Sequence, residues 1–108
     1  MNDRIYELKN LLKDDPEDTF LHYALGLEYI KTGDEELALE RFEILMNKYP
    51  DYLPVYYQAA HLYLAKGEND QAEITFKKGI ALAGRLEEIK TSQELLNAYN
   101  NFLFDVDE

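Results

Sequence analysis

The chain states one pattern twice. Tyr29, Gly33, Ala38 and Phe42 recur as Tyr63, Gly67, Ala72 and Phe76, each 34 residues on (63 − 29 = 34). The same shift carries Pro16 onto Pro50 and the small residue Gly26 onto Ala60. A period of this length marks a supersecondary unit that cannot bury its own apolar face and does so by stacking on a copy of itself.

Each copy reads as two helices. In the first, apolar residues run from Phe20 to Ile30 and stop at KTGDEE. Gly33 supplies the left-handed conformation that ends a helix, and Asp34, Glu35 and Glu36 place acid at the positive start of the next. Leu37, Leu39, Phe42, Leu45 and Met46 follow, until Pro50 disfavours helix at Tyr49. The second copy predicts helices from about Leu53 to Ala65 and from about Asp70 to Ala83, broken at KGEND, with Gly84 in the place of the stopping proline. Gly26 and Ala38, like Ala60 and Ala72, fall where the two helices of a pair cross. Their lack of bulk lets the axes approach to about 8 Å.

The first copy reads His22, Leu25, Gly26, Tyr29, Ala38, Phe42 and Pro50, and the second Tyr56, Ala59, Ala60, Tyr63, Ala72, Phe76 and Gly84. In these residues the chain resembles the tetratricopeptide repeat family, whose signature runs W-x2-L-G-x2-Y…A-x3-F…P. It departs from that pattern at His22, Ala59, Ala60 and Gly84. The resemblance implies an all-α fold: an antiparallel helix-pair solenoid wound as a right-handed superhelix, of about six helices. One domain would span residues 1–108, with an N-terminal capping helix (1–15), two repeats (19–52 and 53–84), a C-terminal capping helix (85–101) and a tail (102–108). Leu8, Leu11 and Pro16 stand 34 residues before Phe42, Leu45 and Pro50, as the second helix of a missing repeat would. In the last helix, Leu86, Ile89, Leu95, Leu96 and Tyr99 keep helical spacing. Lys90, Gln93, Glu94 and Asn97 replace Tyr56, Ala59, Ala60 and Tyr63, the more polar character a cap needs. The initial Met and the capped ends predict a complete chain.

By family habit the first helices of such pairs line a concave groove that holds peptides or helices of other proteins. Projected at 100° per residue, His22, Leu25, Gly26 and Tyr29 form one stripe, toward the partner helix. Phe20, Tyr23, Leu27 and Ile30 form another, centred about 120° away. The second copy places Pro54, Tyr57, His61 and Leu64 there, and the last helix adds Thr91, Leu95 and Ala98. Leu27 and Ile30 read equally well as core, whereas the amphipathic rings of Tyr23, Tyr57 and His61 suit an interface. Some family members hold the C-terminal carboxylate of heat-shock proteins with Lys and Asn on this face. Tyr23, Leu27, Tyr57 and His61 occupy the matching positions here, so no basic clamp is expected.

Other function classes fare poorly. Net charge is −11, from 22 acidic and 11 basic residues, which disfavours nucleic acid and anionic membrane as partners. No cysteine is present, so thiol chemistry and thiolate metal sites are excluded. No secretory h-region or membrane-length apolar run appears, and a cytoplasmic location is expected. The two histidines, His22 and His61, lie 39 residues apart in sequence (61 − 22 = 39) with no nucleophile motif nearby. DDPED, DEE and DVDE do not follow calcium-loop spacing, so neither metal nor cofactor is expected. In NFLFDVDE, Phe102, Leu103, Phe104 and Val106 concentrate apolar area. Phe102 and Phe104 are expected to pack back on the last helix, in the groove or on a second copy.

These observations predict a non-enzymatic protein–protein interaction module. It would bind a partner's peptide or amphipathic helix through Phe20, Tyr23, Leu27, Ile30, Tyr57, His61 and Leu64, with acids around them favouring basic flanks. The alternative is a structural, self-associating homodimer subunit with the groove or tail buried in the dimer.

Overall fold

The computed structural model describes residues 3–107, with side chains to residue 105. Among the described residues it is all-α, with six helices and no strand: α1 (Asp3–Asp14), α2 (Thr19–Lys31), α3 (Glu35–Lys48), α4 (Pro54–Ala65), α5 (Asn69–Arg85) and α6 (Ile89–Asp107). They divide into two compact units, parting between Val55 and Tyr56. None of these helices is long and apolar enough to cross a membrane.

Local chemistry sets the helix ends. The Asp18 carboxylate accepts the Leu21 amide at 3.1 Å and caps α2. Pro54 opens α4, where its missing N–H and fixed φ cost nothing. Three helices end alike. Gly33 (φ 82°) and Gly67 (φ 77°) take the left-handed conformation, and the next amides, of Asp34 and Glu68, donate to Tyr29 O (2.8 Å) and Tyr63 O (2.9 Å). After α5 the same turn is made by Glu87 (φ 58°), with the Glu88 amide donating to Ala83 O at 2.9 Å. Gly84 therefore does not stop the helix: α5 runs past it to Arg85, because the chain turns where the left-handed residue sits.

In the first unit α2 and α3 pair antiparallel. A Cβ on Gly26 would lie 2.3 Å from Phe42 Cε1, so glycine makes room for a fully buried ring rather than for Ala38. α1 buries Leu8 and Leu12, one i,i+4 stripe, and leaves Leu11 half exposed where the repeat phase had placed it beside Leu8. In the second unit Phe76 is fully buried, with the rings of His61, Tyr99 and Phe102 at 5.8, 5.9 and 6.2 Å. Gly79 of α5 admits neighbours on two helices: a Cβ there would lie 2.8 Å from Tyr56 Cβ and 3.1 Å from Leu95 Cδ1.

α6 departs most from expectation. Leu95, placed by the repeat phase on the groove, is fully buried core. Residues 102–107 are no separate tail but the continuation of the helix. Phe102 packs inward, 8% exposed, while Phe104 is 67% exposed. Residues two apart on a helix point about 200° apart, so both rings cannot face one core. The Val106 side chain and Glu108 lie outside the described residues. Nor is the outer face of this helix a polar cap: Ile89 and Leu96 are exposed on it.

Candidate functional site

The chemistry of the first unit is split between the two faces of α2. His22, Leu25, Gly26 and Tyr29 are buried, as their stripe predicts. Phe20 is 59% exposed, and Tyr23, Leu27 and Ile30 are half-buried. Tyr23 lies on Phe42 at 5.8 Å and meets the Tyr52 ring at 5.6 Å. Burial, with smaller contributions from Tyr23 and Asp18, raises the Tyr52 phenol above its ordinary value. Tyr23 is thus held by rings beneath and beside it, while Phe20 stands in solvent a turn before it.

In the second unit α4 and α6 border an open groove of about 410 Å³. Tyr57, His61 and Leu64 line it from α4, and Glu94, Asn97, Ala98, Asn101, Phe102 and Asp105 from α6. The floor is aromatic: Tyr57 and His61 lie 4.5 Å apart, and the edge of His61 meets Phe76. Burial pushes the His61 imidazole below its ordinary value of 6.5, which favours the uncharged ring. Among the described residues, Glu94 and Asp105 are the acidic side chains of the lining, and no lysine or arginine joins them.

The residues singled out from sequence therefore fall into two sets, Phe20, Tyr23, Leu27 and Ile30 on α2 and Tyr57, His61 and Leu64 in the groove. None of the seven is fully buried. Sequence reasoning missed Glu94, Asn97, Asn101 and Asp105. The available signal was the spacing Leu95, Tyr99, Phe102, an apolar stripe that leaves those four polar residues on one flank of the helix, about 120° round from it.

His22 has a different role. Its Nε2–H donates to Pro16 O at 2.8 Å and its Nδ1 accepts from Arg41 Nη1 at 3.1 Å, which fixes the tautomer. Both ring nitrogens are committed to holding the α1–α2 turn and α3. Nearby, the Tyr49 hydroxyl donates to Glu17, a contact that raises the Tyr49 phenol above its ordinary value. Among the described residues, no three His, Asp or Glu side chains converge as a metal site.

The tetratricopeptide repeat family model matches residues 29–96. A tetratricopeptide repeat domain protein from Salinibacter ruber, solved by NMR, is 36% identical over 82% of this chain and 89% of its own, with a TM-score of 0.77. A crystal structure of a tetratricopeptide repeat domain protein from the same organism gives 35% identity, 80% and 96% coverage, and a TM-score of 0.77. A Bordetella parapertussis protein shares the fold at 17% identity, with a TM-score of 0.82 over 97% of this chain and 91% of that one. No curated protein sequence matches significantly.

Proposed function

The chain belongs to the tetratricopeptide repeat family, a family of protein-interaction scaffolds, and we propose that it is a non-catalytic module that captures a peptide or amphipathic helix of a partner protein. Tyr57, His61 and Leu64 are the anchors on α4, and Phe20, Tyr23, Leu27 and Ile30 present a like surface on α2. The observation that carries this reading is the α4–α6 groove. Its floor is aromatic and partly exposed, at a place where the core is already closed by Phe76. Amphipathic rings in a concave, half-dry setting give contact area at low entropy cost. Glu94 and Asp105 add a preference for a Lys or Arg beside the apolar anchor, and the uncharged His61 does not oppose an apolar side chain laid on it.

The test is selection of short peptides from a random display library against the full chain, followed by calorimetric titration of the enriched sequences. Enriched peptides should pair an apolar residue with Lys or Arg. Tyr57→Ala should weaken their binding by at least about tenfold, the loss of one aromatic anchor, with helicity and melting temperature nearly unchanged. Loss of fold in Tyr57→Ala would make the ring core instead. Binding indifferent to Tyr57→Ala, His61→Ala and Phe20→Ala would remove the proposal.

A further inference from the structure

The α4–α6 groove has two unlike walls. Tyr57, His61 and Leu64 give it an apolar wall on α4. On α6, Glu94, Asn97, Asn101 and Asp105 follow one another at steps of three, four and four residues, so they form one polar strip along the helix. All four are exposed. Among the described residues, neither the Asn97 nor the Asn101 amide side chain bonds to another part of the chain.

Resting on the reading of this groove as a peptide site, we infer that its occupant is an extended basic segment rather than a helix. Asn97 and Asn101 read its main chain, and Glu94 and Asp105 hold two of its cations, about five residues apart. Two observations select that occupant. The first is the pair of amides. A carboxamide carries both a donor and an acceptor, so it pairs with the N–H and C=O that one extended residue turns to the same edge. Alternate residues of an extended chain offer such an edge every 6.6–6.8 Å or so. Asn97 and Asn101, one step of four along a helix, stand about 6 Å apart, close to that repeat. A helical occupant has spent the same groups on its own i→i−4 bonds and offers the two amides no main-chain partner.

The second observation is the placing of the acids. Glu94 and Asp105 bracket the amides, eleven positions apart (105 − 94 = 11), which is about 16.5 Å along the axis. An extended chain covers that distance in about five residues, whereas a helix needs about eleven. No lysine or arginine of the described lining competes for either carboxylate, so both ends of the strip favour a cation from outside. Between the two cations, side chains alternate, and those on one face of the segment meet Tyr57 and His61. The two walls therefore divide the work: α4 takes apolar side chains, and α6 takes the main chain and the charges.

The probes are linear peptides of about 16 residues, selected on the full-length chain from a random display library, then synthesised and titrated by fluorescence anisotropy. Enriched sequences should carry Lys or Arg about four to six positions apart around an apolar residue, without helical apolar periodicity. Methylating the main-chain nitrogens beside that apolar residue removes the donors that Asn97 and Asn101 accept. It should weaken binding to the native chain by at least about tenfold, and to the Asn97→Ala/Asn101→Ala double variant by less than about twofold. The double variant should keep native circular dichroism, since both positions are exposed on a helix. A methylated peptide that merely fits badly would lose equally on both chains, and that result would overturn main-chain reading by the amides. Enriched peptides with cations about eleven apart and apolar residues at i, i+3 and i+4, lost in Tyr57→Ala, would overturn the extended occupant while keeping the groove as a site. No enrichment, or binding indifferent to Tyr57→Ala, would remove the groove itself and this inference with it.

Discussion

Gly26→Ala and Gly84→Ala make the same chemical change in two helices and should move stability in opposite directions. At Gly26 a new Cβ would stand 2.3, 2.7 and 2.9 Å from three carbons of the Phe42 ring. That ring is fully buried and held by Tyr23 at 5.8 Å, so it has nowhere to turn. Overpacking of this kind costs about 1–3 kcal/mol, and so close an approach to an enclosed ring belongs at the upper end. Helix propensity returns about 1 kcal/mol. The net is a loss of about 2 kcal/mol, or a melting temperature lower by roughly 8–16 °C. At Gly84 nothing lies within 4 Å of the new Cβ and the backbone is helical. Only the propensity gain remains there, about 0.5–1 kcal/mol. Thermal and urea unfolding followed by far-UV circular dichroism reads both. In a Phe42→Leu background the cost of Gly26→Ala should largely vanish, since the atoms it strikes are gone. A harmless Gly26→Ala, or a cost that survives Phe42→Leu, would refute the close-approach argument.

Glu87→Gly should stabilise by about 0.5–1 kcal/mol, because Glu87 holds a left-handed conformation that Gly33 and Gly67 adopt freely; a lower denaturation midpoint would show that the Glu side chain contributes more than its strain costs. His61 titrates below its ordinary value of 6.5 in the fold, so the unfolded chain takes up its proton first as pH falls. Its contribution is therefore complete above about 6.5 and is lost as pH falls through the lower folded value. The drop in melting temperature between about pH 7.5 and 5.5 should be smaller in His61→Gln than in wild type, and an equal or larger drop would contradict the desolvated setting.

The helix pairs were legible because the repeat and its turn glycines report the same boundaries. The third turn was not, since Glu87 carries no compositional mark of its left-handed backbone. α6 shows how a correct period misleads once it slips. Shifted by 34, His61 maps to Leu95 and Leu62 to Leu96, which assigns the groove to one and burial to the other. The structure exchanges them: Leu95 is fully buried and Leu96 is 41% exposed. The helix starts at Ile89, one residue beyond the Pro54 equivalent (54 + 34 = 88), and one residue turns a helix by about 100°. That step brought Asn97 and Asn101 into the groove and left Ile89 and Leu96 exposed outside it. A local apolar stripe, read without the repeat, would have located both.

His22 tests how far a signature position can be read as shape alone. The repeat pattern wants an aromatic there, and the side chain is buried as one would be, 8% exposed. The imidazole also does what a hydrocarbon ring cannot, joining Pro16 O to the Arg41 guanidinium. If shape were the whole requirement, His22→Phe would be neutral or better. If the two hydrogen bonds matter, the substitution strands a carbonyl and a half-buried guanidinium, at about 1–2 kcal/mol. A double-mutant cycle with Arg41→Met separates the cases. Bonding through Nδ1 predicts a coupling of about 0.5–1.5 kcal/mol, since the second change costs less once the first has removed its partner. Zero coupling, with His22→Phe as stable as wild type, would make the histidine an ordinary occupant of an aromatic slot and leave the α1–α2 turn to be held by Asp18 and Tyr49.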